Sequence, residues 1–306
     1  MGLQSRHLLG LQGVSKEDIQ LILDTAVSFK EIINRPIKKV PTLQGKTIVN
    51  LFFENSTRTR TSFELAERRL SADVVSFAAS SSSVTKGETL KDTARNIEAM
   101  KIDMVVIRHN AAGSAHFLSR IIDANIINAG DGQHEHPTQG LLDMFSLREK
   151  YGKIEGLHVC IVGDILHSRV ARSNIFGMQT MGVKVSVCGP ATLIPREIKK
   201  LGVDVYHHID DVLPHVDALN VLRIQLEREA GGYFPSLREF HRYFGVTKDR
   251  LDKIGKPIAI LHPGPINRDV ELSADVADGP NSLILEQVQN GVAIRMAILY
   301  LLGTQN

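Results

Sequence analysis

Two doubly wound α/β domains, each a mostly parallel sheet flanked by helices, are the fold class that this sequence predicts. Apolar β-rich runs alternate with helical patterns almost from end to end. Those runs are continuous in Val, Ile and Leu, as parallel strands buried on both faces require, and the helical patterns between them serve as right-handed crossovers. The length of 306 residues exceeds one ordinary hydrophobic core and fits two domains of roughly 150 residues each.

Residues 15–34 read as the first helix, with Ser15 as N-cap and Ile19, Leu21, Ile22, Ala26 and Phe29 as its apolar stripe. Strands follow at 47–53, 74–78, 103–109 and 126–130. Helices lie between them: one begins near Thr57, one covers 87–100 and one covers 115–123. The stretch 136–152 is amphipathic and reads as a spacer helix. Beyond it, strands are predicted at 157–164, 183–189, 203–207, 218–222 and 257–262, with a helix at 168–182 ended by Gly182. A last helix runs from about 281 to 303. This organisation gives a first domain over 1–135, a second over 136–287, and a terminal helical segment, 288–306, that packs back on the first.

The bulk numbers exclude several classes. Hydrophobic residues are 43% and charged residues 23% of the chain, which argues against disorder. Lys and Arg number 36 and Asp and Glu 34, for a net +2. With no global basic field, neither nucleic acid nor a membrane surface is an expected partner. The two cysteines, Cys160 and Cys188, sit in apolar β-like runs, so they are expected to be buried thiols, not a disulfide framework or a cysteine zinc site. No run has signal-peptide or membrane-spanning length, and Arg6 occupies the place a myristoylation motif gives to Ser or Thr. A reducing cytoplasmic compartment is therefore expected.

Active sites of open α/β sheets lie at the carboxyl ends of the strands, where the chemistry-bearing segments of this chain gather. The sharpest is Phe53-Glu54-Asn55-Ser56-Thr57-Arg58-Thr59-Arg60-Thr61, which follows a strand and opens a helix. Backbone N–H groups at a helix N-terminus, with Ser and Thr hydroxyls, bind oxyanions, and Arg58 adds a charged planar fork suited to phosphate. Four hydroxyls interleaved with two arginines exceed what capping needs. In Ser82-Ser83-Val84-Thr85-Lys86-Gly87-Glu88-Thr89, a polar loop leads into a helix. Alone it reads first as a surface turn, although Lys86 is also placed like a mobile phosphate hook. Arg108 ends a buried strand, where its charge must face solvent or a ligand.

Gly130-Asp131-Gly132-Gln133-His134-Glu135-His136-Pro137-Thr138-Gln139 turns from a strand into a helix, with Pro137 where proline is tolerated. Asp131, His134 and His136 are close together, but no third-ligand pattern accompanies them, so no metal is expected. An imidazole at a helix start with Gln139 one turn on suits polarising a carbonyl and holding an amide. A histidine that only caps the helix is the plainer alternative. Val162-Gly163-Asp164 ends a strand before Ser168, Arg169 and Arg172, without the GxGxxG spacing of a dinucleotide site. A second anion site centred on Arg169 competes there with an exposed helix end. Arg223 and Gln225 alternate with apolar residues at another strand end, as a carboxylate clamp or a solvated edge. His262-Pro263-Gly264-Pro265 makes a rigid turn with exposed carbonyls and room for a cis bond.

Together these segments resemble the catalytic chains of the aspartate carbamoyltransferase family. The resemblance covers the whole chain in order: STRTR (56–60), TKGET (85–89), IRH (107–109), HPTQ (136–139), HSRVARS (167–173), LRIQ.ER (222–228, with Leu226) and HPGP.NR (262–268, with Ile266). It implies transfer of a carbamoyl group from carbamoyl phosphate to L-aspartate, giving N-carbamoyl-L-aspartate and phosphate in pyrimidine synthesis. It implies no cofactor and no metal, and a homotrimer with shared active sites. By the same likeness Ser56, Thr57, Arg58 and Thr59 hold the phosphate, and Ser82 and Lys86 reach in from the adjacent subunit. Arg108, His136 and Thr59 polarise the carbamoyl oxygen, and Gln139 with the Pro263, Gly264 and Pro265 carbonyls fixes the carbamoyl nitrogen. Arg169, Arg223, Gln225 and Lys86 grip aspartate. The resemblance also allows regulatory chains or a dihydroorotase as further partners.

The chemistry agrees with those roles. Amine attack on the carbonyl builds an oxyanion, which preorganised donors stabilise. Phosphate is already a good leaving group and can take the amine proton, so no side-chain nucleophile is needed. Asn55 stands where many members carry Pro, Gly264 where they carry Ala or Leu, and Ser82 is placed only by its distance from Lys86, so Ser81 or Ser83 can take its role. Ornithine carbamoyltransferase is the nearest rival: it shares the STRTR-type loop but has HPCQ and HCLP motifs, and a cationic side chain does not suit Arg223. A non-catalytic paralogue serving as an assembly subunit is the other.

Overall fold

The computed structural model describes residues 2–78, 88–224 and 236–305. The chain divides into two compact units, Met1–Phe145 with Gln289–Asn306, and Ser146–Val288.

In the first unit, α1 (Lys16–Ile33) opens where predicted: the Ser15 hydroxyl accepts from the Asp18 N–H at 3.1 Å. Ile19, Ile22, Leu23, Ala26, Phe29 and Ile33 are its buried apolar residues, with Leu21 only half-buried. The strands are β1 (Thr47–Phe52), β2 (Asp73–Ala78), β3 (Met104–His109) and β4 (Asn125–Asp131). Among the described residues they form one sheet in the order β2-β1-β3-β4, with every pairing parallel. The helices after the strands are α2 (Thr57–Arg69), α3 (Leu90–Glu98), α4 (Ser114–Leu118) and α5 (Pro137–Tyr151). Helix α4 stops short of the predicted 123. Ile121 and Ile122 both donate to the Leu118 carbonyl, a tightened last turn that sends them toward the core. That core joins Val49, Leu51, Val105, Ile107 and Ile126 of the sheet to Ala94, Ile97, Ala115 and Leu118 of the helices.

In the second unit the strands are β5 (His158–Val162), β6 (Lys184–Cys188), β7 (Asp204–Tyr206), β8 (Ala218–Val221) and β9 (Ala259–Leu261). Their order is β7-β6-β5-β8-β9, again parallel throughout. The helices are α6 (Arg169–Thr180), α7 (Ile209–Val212), α8 (Leu237–Phe244), α9 (Lys248–Ile254) and α10 (Ala274–Ala277), and α11 (Ile284–Gly303) starts here and continues in the first unit. The unit boundaries fall within α5 and α11. Helices α8 and α9 were not anticipated. Phe240 and Phe244 of α8 enter the core with Val246, Ile258 and Leu272. Cys160 and Cys188 are buried free thiols, as expected. Burial pushes Cys160 up to about 12 and raises Cys188 as well. No helix among the described residues is long and apolar enough to cross a membrane.

Each sheet reverses its winding at one point. In the first, the chain leaves β1 for β2 on one side while β3 lies on the other. In the second, β5 leads to β6 on one side and β8 lies on the other. Ligands of open parallel sheets bind at the carboxyl ends of such strand pairs.

Candidate active site

At the first switch point, Phe52 pairs with Arg108, and the Phe53 N–H donates to the Arg108 carbonyl at 2.8 Å. This register sets the β1–α2 loop beside the Arg108 side chain. Helix α2 begins differently from α1. Its N-cap Ser56 makes no side-chain cap bond, and its first turn carries no acid, whereas α1 has the Ser15 cap with Glu17 and Asp18. Thr57 and Arg58 are exposed, and Ser56 and Thr59 are half-buried. A helix end with neither cap nor acid presents its N–H groups and positive dipole end to an outside anion.

Arg108 has protein partners in addition to whatever its charge faces. It is half-buried and lies against an acid: its Nε is 3.3 Å from Glu54 Oε2, and its Nη1 donates to the Ala129 carbonyl at 3.2 Å. The sheet itself makes this pair, because Glu54 follows β1 and Arg108 ends β3. Glu54 thus forms an ion pair with the guanidinium, a contact the sequence reading missed although the residue lies within the Phe53–Thr61 segment it singled out.

The turn from β4 into α5 is built around Asp131, which is 1% exposed. Its carboxylate accepts from Asn128 Nδ2 at 2.8 Å, the Glu135 N–H at 3.1 Å and the Gly113 N–H at 2.7 Å. His134 Nδ1 lies 3.0 Å from the same carboxylate. Gly132 has φ +50°, and a Cβ there would stand 2.7 Å from the Asn110 carbonyl oxygen, so glycine alone fits. Buried Glu135 accepts from the Leu11 and Gln12 N–H groups at 2.7 and 3.2 Å, pinning the N-terminal segment. Asp131 and Glu135 therefore hold the turn. Among the described residues no group of three or more His, Cys, Asp or Glu is disposed to hold a metal ion. His136 and Gln139 are buried at the start of α5. Gln139 Nε2 donates to Asp143 Oδ1 at 2.8 Å, which aims its carbonyl oxygen as an acceptor.

The second unit carries its own arginines at its own switch point. Arg169 is the first residue of α6 and only 6% exposed, which removes the exposed-helix-end alternative. The Ser168 hydroxyl caps the helix by accepting from the Ala171 N–H at 3.2 Å. Buried Asp164 accepts from the His167 N–H at 3.1 Å and lies 3.0 Å from its ring Nδ1. Half-buried Arg223 follows β8, where the Leu222 N–H donates to the Val162 carbonyl at 2.8 Å. The Asn267 side-chain amide donates to the Ile224 carbonyl at 3.0 Å, linking Arg223's strand end to the loop after β9. His262 organises that loop. Its Nδ1 accepts from the Gly264 N–H at 2.8 Å, so its proton sits on Nε2, 3.1 Å from buried Glu271. The Gly264–Pro265 bond is cis, and Gly264 has φ +62°. Pro263 and Gly264 are half-buried and Pro265 is exposed. Glu271 and Asp143 lie outside the segments singled out in the sequence, and Asn267, although part of HPGP.NR, was given no role there; Asp143 meets Gln139, and Asn267 and Glu271 brace the loop after β9.

Ser82, Lys86 and Gln225 lie outside the described residues. A cavity of about 580 Å³ lies at the opposite, amino end of β3 and β4. The Lys46–Asp103 ion pair and Arg95 are in its lining.

The carbamoyl-phosphate-binding domain model of aspartate/ornithine carbamoyltransferases matches residues 6–149, and the Asp/Orn-binding domain model matches residues 155–302. The chain belongs to the aspartate/ornithine carbamoyltransferase family. This carbamoyltransferase chain is similar to the aspartate carbamoyltransferase catalytic subunit of Gemmatimonas aurantiaca, 62% identical across 97% of this chain and 93% of that one. Its structure is similar to the aspartate transcarbamoylase of Trypanosoma cruzi solved with carbamoyl phosphate and aspartate. The TM-score is 0.86 at 30% identity, and 97% of each chain is covered. It is also similar to the ornithine carbamoyltransferase of Pyrococcus furiosus, with a TM-score of 0.88 at 29% identity over 100% of both chains. Likeness of fold thus spans both amino-acid acceptors, and the acceptor must be read from side chains.

Proposed function

We infer that this carbamoyltransferase chain moves the carbamoyl group of carbamoyl phosphate to the amine of L-aspartate. The products are N-carbamoyl-L-aspartate, a precursor for pyrimidine synthesis, and phosphate. The observation that carries the choice of acceptor is the pair of arginines at the switch point of the second unit: Arg169 after β5 and Arg223 after β8. Two fixed guanidinium groups suit two carboxylates and repel an ammonium side chain. The 62% identity with a catalytic subunit named for aspartate supports the same choice.

In the reaction the amine nitrogen of aspartate forms a bond to the carbamoyl carbon. The carbon–oxygen bond to phosphate breaks with its electron pair, and phosphate takes the amine proton. The α2 N-terminus with Ser56, Thr57, Arg58 and Thr59 holds the phosphate. Arg108, paired with Glu54, and His136 donate to the carbamoyl oxygen as negative charge grows there. Gln139 accepts from the carbamoyl nitrogen through the oxygen that Asp143 aims, and the carbonyls of Pro263, Gly264 and Pro265 serve the same group. Gln225 joins Arg169 and Arg223 on aspartate. Ser82 and Lys86 act from a neighbouring copy in a cytoplasmic homotrimer.

The test is direct. Purified chain incubated with carbamoyl phosphate should form a ureido product with aspartate and none with ornithine; the reverse preference sinks the reading. Mixing inactive Arg58→Ala and Lys86→Ala chains should restore part of the activity through hybrid trimers. Hybrid trimers that form and stay inactive would place Lys86 in its own chain's site.

A further inference from the structure

The helix α11 is an apolar rod interrupted by one cation. Within Val292–Leu302 the lone charged residue is Arg295, set among Ala293, Ile294, Met296, Ala297 and Ile298, all buried. Arg295 is 4% exposed, and its guanidinium reaches two other helices of the same unit. Nη1 donates to the Ser62 hydroxyl of α2 at 2.8 Å, and Nη2 lies 3.4 Å from the Thr138 hydroxyl of α5. The cation also lies over the Phe63 ring, 5.1 Å from its centroid. Among the described residues no carboxylate pairs with it. Burial pulls it down to about 10, so it stays charged at neutral pH.

Three observations say that this charge is not a packing accident. A buried cation held by hydroxyls and a ring is an expensive way to join helices, since apolar side chains of the same volume do that at least as well. The chain also makes room for it. Gly291 lies one turn earlier in the same helix, where glycine weakens the helix, and a Cβ there would stand 2.6 Å from Arg295 Nη1. Finally, the cation adds to a positive region. It meets α2 one turn past Thr59 and α5 between His136 and Gln139, and neither helix carries an acid in its first turn. Positive charge gathered behind two helix N-termini repels itself, and an anion bound there relieves that repulsion.

We propose that Arg295 is a positioning residue for the carbamoyl-phosphate half of the reaction: by joining Ser62 to Thr138 it sets the spacing between the Arg58–Thr59 turn and the His136–Gln139 turn, and its buried charge strengthens their hold on the phosphate dianion. This rests on the reaction inferred above. Arg295 touches neither reacting group; it acts through the two turns.

The experiment is steady-state kinetics with calorimetric titration of inorganic phosphate on wild type, Arg295→Met, Arg295→Lys, Ser62→Ala and Gly291→Ala. Arg295→Met should raise the carbamoyl-phosphate KM at least tenfold, lower kcat and weaken phosphate binding by a similar factor. The aspartate KM at saturating carbamoyl phosphate should stay within twofold. Arg295→Lys, which keeps the charge and loses the fork, should recover part of the phosphate affinity. Ser62→Ala and Gly291→Ala should show the same signature more weakly, and they carry the test if Arg295→Met does not fold. Unchanged phosphate affinity in the folded variants overturns the proposal, as does a loss that falls equally on aspartate. If wild type binds phosphate but transfers no carbamoyl group to aspartate, the reaction fails as read, and phosphate affinity in the variants still decides the role of Arg295.

Discussion

Helices α2 and α6 occupy equivalent places, each leaving the carboxyl end of the strand where its sheet reverses, yet their first turns are built in opposite ways. The α6 end is closed: Ser168 caps the Ala171 N–H, and Arg169 is buried behind that cap. The α2 end is open: Ser56 makes no cap bond, and Thr57 and Arg58 face outward. An open helix end offers backbone N–H groups to a tetrahedral dianion, while a closed one offers only the fork of its arginine, which matches a planar carboxylate. The same position in the same topology thus differs by one serine hydroxyl, bonded to the Ala171 N–H in α6 and making no cap bond in α2.

Substitutions can break that comparison, beginning with the largest effect. Arg58→Ala should lower kcat by roughly 10²–10³, the usual loss for one preorganised donor, with Tm within a degree or two of wild type because the side chain is exposed. A small kcat effect would mean that the open end does not hold the phosphate. Arg223→Ala should raise the aspartate KM by roughly 10–100-fold, the scale of a charged hydrogen bond, and leave carbamoyl-phosphate binding nearly unchanged. An unchanged aspartate response would remove Arg223 from the acceptor site.

The third prediction concerns what lies beneath the open helix. Glu67 of α2 is fully buried and bonded to Asn50 Nδ2 of β1 at 2.7 Å. Burial pushes its carboxyl up to about 8, against the partial opposing effect of Asn50. Its folded value lies above its unfolded value of 4.5, so its protonated form favours folding at low pH, and that advantage is lost as pH rises toward 8. Glu67→Gln should flatten this fall, which for a rise from 4.5 to about 8 is on the order of 4 kcal/mol by pH 8. Denaturant melts at pH 5 and pH 8 check it, and a parallel fall in both proteins would rule the group out. The smallest effects separate the two serines. Ser168→Ala should cost about 1 kcal/mol of stability, whereas Ser56→Ala should cost none and instead weaken carbamoyl-phosphate binding. Equal melting shifts would erase the distinction drawn here.

Much of the fold was legible because its parallel strands are written as unbroken Val, Ile and Leu runs that end in glycine or charge. The segments α8 and α9 were not, since each is short and rich in charge, with Phe240 and Phe244 buried only by tertiary packing. At the site, motif residues announced themselves by type and place. Their supports did not: Glu54 meets Arg108 only through the β1–β3 register, and Asn267 meets Ile224 only across a loop. Arg295 left one trace, a single cation inside an apolar run, one turn after a glycine.

The hydrogen bond from Gln139 to Asp143 has a consequence for fidelity. One N–H of Gln139 is committed to the acid, and in the reaction inferred above its carbonyl oxygen is the acceptor that the carbamoyl amide can satisfy and a methyl group cannot. Acetyl phosphate has nearly the same shape and the same leaving group, but it would strand that buried oxygen without a donor. A site built this way discriminates by refusing a near-isostere, at a cost to the wrong substrate of about 1–3 kcal/mol from the unmet acceptor alone.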